Sequence, residues 1–263
     1  MGKKNTESEL AKVEEAPLAM PAPSYIDKGR DGYENVVDMT FERIQLLQAM
    51  SPIVSQDTSL AAGMLYRRST GEVLYTPGAP ALGFGIAFYF KEWVEFGDRE
   101  DQKQSVVLGR STDPSSKLAE EARQWVKKKV TKGEVRKVTD VHNFVILRDG
   151  QLHDPVLVAC MRSNARYGTG LLNLSNGRGN VPIYAGRFLL YSEKETNKRN
   201  QTFNVIKFKN PPREEAEFWV SREAYEAAKS LHEMLASAHK AGKLGGNYQP
   251  DDQGEAATPD AEL

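Results

Sequence analysis

The chain has 263 residues, 40% hydrophobic and 27% charged, with a formal net charge of −1 and a single cysteine, Cys160. That is enough apolar material for one sizeable core or two small ones. No run approaches the roughly 18 to 20 consecutive apolar residues of a membrane-spanning helix. One thiol excludes an internal disulfide and a cysteine-based zinc site. The opening stretch MGKKNTE lacks the apolar segment of a signal peptide, so a cytoplasmic protein with no membrane partner is expected.

Residues 1–24 mix Lys, Glu and Ala with Pro17, Pro21 and Pro23 and few large apolar side chains. Burial there cannot offset ordering entropy, and a disordered N-terminal arm is expected. A single globular domain is expected over 25–246. Its first segment, 33–52, has a spacing that suits either a short helix or an entry strand. Residues 64–68 and 72–75 flank a polar turn ending in Gly71, the pattern of a β-hairpin. Over GIAFYFKEWVEF (85–96), period two puts Ile86, Phe88, Phe90, Val94 and Phe96 on a core face and Tyr89, Lys91 and Trp93 on the other.

An amphipathic helix is predicted over 117–129 after a start at Ser111 to Pro114. Strand-like runs rich in Val, Ile, Phe and Tyr follow at 139–147, 155–161, 182–191 and 201–209. Between the second and third of these, 163–175 reads as a short helix that carries Gly168 and Gly170. The last helix spans about 221–241, with Ser221 as N-cap and Tyr225, Ala228, Leu231 and Leu235 along one face. Residues 247–263 are expected to form a disordered acidic tail. The expected fold is mainly β with inserted and C-terminal helices, an α+β arrangement built on an OB-like β-barrel.

Catalytic patterns are absent from the sequence. His142, His153, His232 and His239 are scattered without metal spacing and read as surface residues. The Gly83/Gly85 and Gly168/Gly170 fragments complete neither GxGxxG nor GxxxxGK[ST] and read as turns. Cys160 lies within an apolar run, which suits a buried, inert thiol. No catalytic residue, cofactor or metal is expected, and a non-enzymatic binding protein is the leading reading. A metal-dependent nuclease built on scattered carboxylates is a lesser alternative.

The near-zero net charge conceals segregation. From Arg110 to Arg213 there are 20 Lys/Arg against 9 Asp/Glu, whereas the tail holds Asp251, Asp252, Glu255, Asp260 and Glu262 with no Lys or Arg. Binding of single strands needs cations along the phosphates and flat side chains for unstacked bases. The basic stretch offers both: Arg162, Arg166, Tyr167 and Arg178 around the short helix, Arg187 and Tyr191 on one strand face, Lys198 and Arg199 in a loop, and Phe203, Lys207 and Lys209 on the next strand. Tyr89, Lys91 and Trp93 repeat the mixture. The flexible carboxylates could occupy this cationic surface until a strand displaces them, or contact partner proteins.

This layout resembles phage-encoded single-stranded-DNA-binding proteins, with an OB-fold core, inserted helices, a late helix and an acidic C-terminus. Residues 34–52 also look like the opening of a widespread group of phage proteins. The resemblance implies a protein that coats and protects single strands during phage DNA replication or recombination in the host cytoplasm. It further implies that replication proteins are met through the tail, which ends in Leu263 where such tails generally end in an aromatic. RNA is an alternative ligand, and a phage virion or assembly role is the alternative function.

Overall fold

Short apolar runs separated by polar turns build two antiparallel sheets. The protein is seen in a computed structural model that describes residues 41–97, 107–127, 137–197, 200–212, 218–241 and 244. All lie in the compact unit from Asn35 to Leu263. The arm expected over 1–24 and the acidic tail over 247–263 fall outside the described residues.

The smaller sheet consists of β1 (Ile44–Leu46), β2 (Leu65–Arg67) and β3 (Val73–Tyr75), paired in that order. Gly71, at φ 72°, supplies the left-handed turn between β2 and β3 that a side chain would strain. The segment left open between helix and strand therefore contributes β1, followed by the one-turn helix α1 (Pro52–Gln56).

The larger sheet contains β4 (Leu82–Phe96), β5 (Val107–Ser111), β6 (Val138–Arg148), β7 (Gln151–Met161), β8 (Arg187–Thr196) and β9 (Thr202–Lys209). Its order is β7-β6-β4-β8-β9, with β5 also on β4. Because β4 is 15 residues long, β8 pairs with its start and β5 with its end. The strand expected over 182–191 begins later. Pro182 instead accepts from the Ala185 amide at 3.0 Å, closing a 3-10 turn at Ile183–Ala185.

This sheet curls into a half barrel and is not the closed OB-like barrel expected from the sequence, since β7 and β9 end it without pairing with each other. Other groups occupy their outward edges. The Leu157 amide in β7 donates to the Glu42 carbonyl at 2.9 Å. On β9, the Gln48 side chain accepts from the Asn204 amide (3.0 Å) and donates to its carbonyl (2.9 Å), while Asn164 accepts from the Ile206 amide at 2.9 Å. Edges capped in this way cannot close on each other.

A β-bulge divides the long strand β4. Ile86 pairs with Ile146 but Phe88 pairs with Val145, so Ala87 is an inserted residue that reverses the alternation. Phe84 and Ile86 fill the hollow with Phe144, Ile146, Val156, Val158, Cys160, Phe188, Leu190 and Ile206. Phe88 and Phe90 join Val145 and Leu157 on the opposite face. The single core face expected for Ile86, Phe88 and Phe90 is thus split between two clusters.

Three helices cover these faces. In α4 (Arg222–Lys240), the Ser221 hydroxyl caps the start by accepting from the Ala224 amide at 3.2 Å. Its Leu235 packs on Phe88 and Phe90, and its Ala228 on Ala87 and Leu147. Helix α3 (Ala165–Asn176) sends Leu171 into the main core and lies against β6, β7 and β9. Helix α2 (Lys117–Lys127) sets Ala119 and Ala122 over Trp93. Among the described residues no helix is long and apolar enough to cross a membrane.

Candidate functional site

The candidate residues divide into packed and surface groups. Trp93 is only 7% exposed, beneath α2. Lys91 pairs with Asp140 at 2.7 Å and lies 5.3 Å from the Trp93 ring centre. The Tyr89 hydroxyl bonds His142 Nδ1 at 3.0 Å, and its ring packs on Phe144. Burial, with a contribution from Asp140, pushes the Tyr89 phenol up to about 12. Burial and nearby Lys91 lower His142. Trp93 is therefore packed under α2, Tyr89 is partly buried against the main core, and Lys91 is a partly exposed, ion-paired side chain.

Arg178 is half-buried. Its guanidinium donates to the carbonyls of Phe218 and Arg187, both at 2.5 Å, and to Asn210 Oδ1 at 2.8 Å. It lies 4.2 Å from the Phe188 ring and 4.0 Å from that of Phe218. Burial lowers its pKa to about 10. Such an arginine fastens the segment around Phe218 to β8. Arg187 pairs with Asp149 at 2.7 Å, and Arg162 sits 4.8 Å over the Phe96 ring. Lys198 and Arg199 fall outside the described residues, as do Asp251, Asp252, Glu255, Asp260 and Glu262.

The remaining candidates converge on the β8–β9 ribbon and α3. Lys207 lies opposite Tyr191 in register, and Lys209 stands 5.4 Å over the Tyr191 ring. Tyr167 in α3 has Arg166 at 4.8 Å and Lys207 at 5.2 Å from its ring centre. Phe203, partly exposed, pairs with Glu195. Two aromatic rings therefore each carry a cation within about 6 Å, the range of cation–π attraction.

Carboxylates that sequence reasoning passed over are built into this surface. Glu195 accepts from Arg166, from the Tyr167 hydroxyl and from Lys207, the last at 2.8 Å. Glu193 adds a second contact to Lys207 at 3.2 Å. Burial alone would raise Glu195, but bonds from Lys207 and Tyr167 and the charge of Arg166 leave it lowered. The Glu195 hydrogen bond raises Lys207, and burial followed by the Glu195 bond pushes Tyr167 up to about 12. The spacing Tyr191, Glu193, Glu195 at period two, set in register against Lys207, Val205 and Phe203, was the signal that places these acids beside Lys207.

Of the four histidines, His153 is exposed as expected, whereas His142 is buried and His232 and His239 are half-buried. His142 is 8% exposed, and His232 Nδ1 lies 2.9 Å from the Ala87 carbonyl at the bulge. Among the described residues no three His, Cys, Asp or Glu side chains are grouped to hold a metal ion. No curated protein matches the chain. Residues 12–241 match the family of Pam3 phage gp34-like proteins, and with most of its length covered the chain belongs to that phage-associated family.

Proposed function

We propose that the protein binds single-stranded nucleic acid, DNA in the first instance, on the surface made by β8, β9 and α3, without catalysing a reaction. The carrying observation is the pairing of aromatic rings with cations there: Tyr167 with Arg166 and Lys207, and Tyr191 with Lys209. Rings accept unstacked bases irrespective of sequence, and cations follow the phosphates. The curled sheet and the phage family support a role in coating single strands during phage DNA replication or recombination. The acidic tail would contact replication proteins.

Anisotropy of a labelled oligo-dT strand, titrated with the full chain at two salt concentrations, tests this. Saturable binding that weakens with salt is expected, and Tyr191→Ala should lose about 1–3 kcal/mol, the worth of one base–aromatic stack. No binding at low salt would overturn the proposal.

A second reading, a virion or assembly component, is favoured by the internal pairing of several candidate cations: Lys91 with Asp140, Arg187 with Asp149, and Lys207 with two glutamates. Stoichiometric presence in purified particles would support it over strand coating.

A further inference from the structure

We propose that Arg166, Tyr167 and Lys207 form a receptor for one phosphodiester, and that Glu195 occupies it in the free protein as an internal stand-in for that phosphate. This rests on the single-strand reading above. Three donors from two elements converge on one carboxylate: Arg166 on Oε2, and Tyr167 and Lys207 on Oε1. A non-bridging phosphate oxygen pair presents the same two acceptors to such donors.

The receptor is open on one side. Arg166 is 62% exposed, whereas Glu195 and Lys207 are 21% and 23% exposed. An arriving phosphate therefore meets Arg166 first. Lys207 has a second carboxylate, Glu193, that is half exposed and can keep its charge balanced as Glu195 yields. Tyr191 and Lys209, next along the ribbon, would hold the adjoining nucleotide. The arrangement makes Glu195 a competitor: it keeps the donors ordered and free of adventitious anions, and it lowers affinity for the strand.

The test uses the full chain and labelled oligo-dT across a salt series. Glu195→Gln retains the size of the side chain and one acceptor oxygen, turns the other acceptor into an N–H donor, and removes the competing charge. It should bind about tenfold more tightly at low salt, the scale of a lost like-charge repulsion at a phosphate contact. Its log–log salt slope should steepen by about 0.7, one more phosphate neutralised on a single strand. Lys207→Gln should weaken binding and flatten the slope by the same amount of about 0.7.

Should Glu195→Gln fail to fold, Glu195→Asp retracts the carboxylate by one methylene and is expected to tighten binding by a smaller factor. If the wild type binds and a folded Glu195 variant binds equally or less tightly, the phosphate receptor is overturned and the single-strand reading stands. If neither wild type nor variant binds, both fall.

Discussion

Arg67 shows at the scale of single residues how this chain ties its two sheets together. Its guanidinium meets Glu42 at 2.7 Å, Glu72 at 3.1 Å and Asp154, while Arg148 reaches Glu72 at 2.9 Å and Asp154 at 2.5 Å. Both arginines are buried and Asp154 is 39% exposed at its side chain. Asp154→Asn should cost about 1–3 kcal/mol, more than an exposed pair and less than a fully buried one, measured by thermal melting. Burial pushes Asp154 up, but the bond and charge of Arg67 and the charge of Arg148 leave it lowered; Glu42 is lowered likewise, against burial, by Ser69 and Arg67. A lowered carboxylate stabilises the fold above its unfolded pKa and loses that contribution as pH falls through the folded value. Melting temperature should therefore drop below about pH 4, and Asp154→Asn should flatten that acid limb. Equal acid limbs would contradict the network. The individual residue types were legible in the sequence, but not these partners, because Glu42, Arg67 and Asp154 are joined only by the fold. The same holds at the candidate site, where the cation surplus was visible and the carboxylates set against it were not.

Helix α3 is the element whose glycines best separate propensity from packing. Gly168 and Gly170 read as turn residues by motif and as helix residues by their neighbours, and both lie inside α3. A Cβ on Gly168 would stand 2.8 Å from His142 Cβ and 3.0 Å from Cys160 Cβ, atoms that cannot swing aside. At Gly170 nothing lies within 4 Å. Alanine gains about 1 kcal/mol over glycine in a helix interior, whereas overpacking costs about 1–3 kcal/mol. Gly170→Ala should therefore raise the melting temperature and Gly168→Ala should lower it. A stabilising Gly168→Ala would refute the close approach of α3 to β6 and β7. The bulge at Ala87 teaches the same lesson for strands. Period two located β4, but one inserted residue, held by packing against Leu147 and Ala228, turned Phe88 and Phe90 to the face beneath α4. Alternation is a local signal, and the position of a bulge is set by partners far away in sequence.

For the whole molecule, the α+β class and the strand-rich middle were readable because β-branched and aromatic runs are dense there. Closure was not readable, since it depends on what occupies β7 and β9 at their edges: Glu42, Gln48 and Asn164 supply the bonds that a closing strand pair would otherwise make. The charge segregation seen along the chain translates into a surface where cations, rings and carboxylates share the β8–β9 ribbon with α3. We propose that this surface takes the strand. The most direct measurement is photo-crosslinking of the full chain to a 5-bromouracil-substituted single strand, followed by mapping of the modified residues. Crosslinks are expected at Tyr167, Tyr191 and Phe203 that disappear with salt and with excess oligo-dT. Crosslinks confined to other parts of the molecule, or none under conditions where the strand is bound, would contradict it.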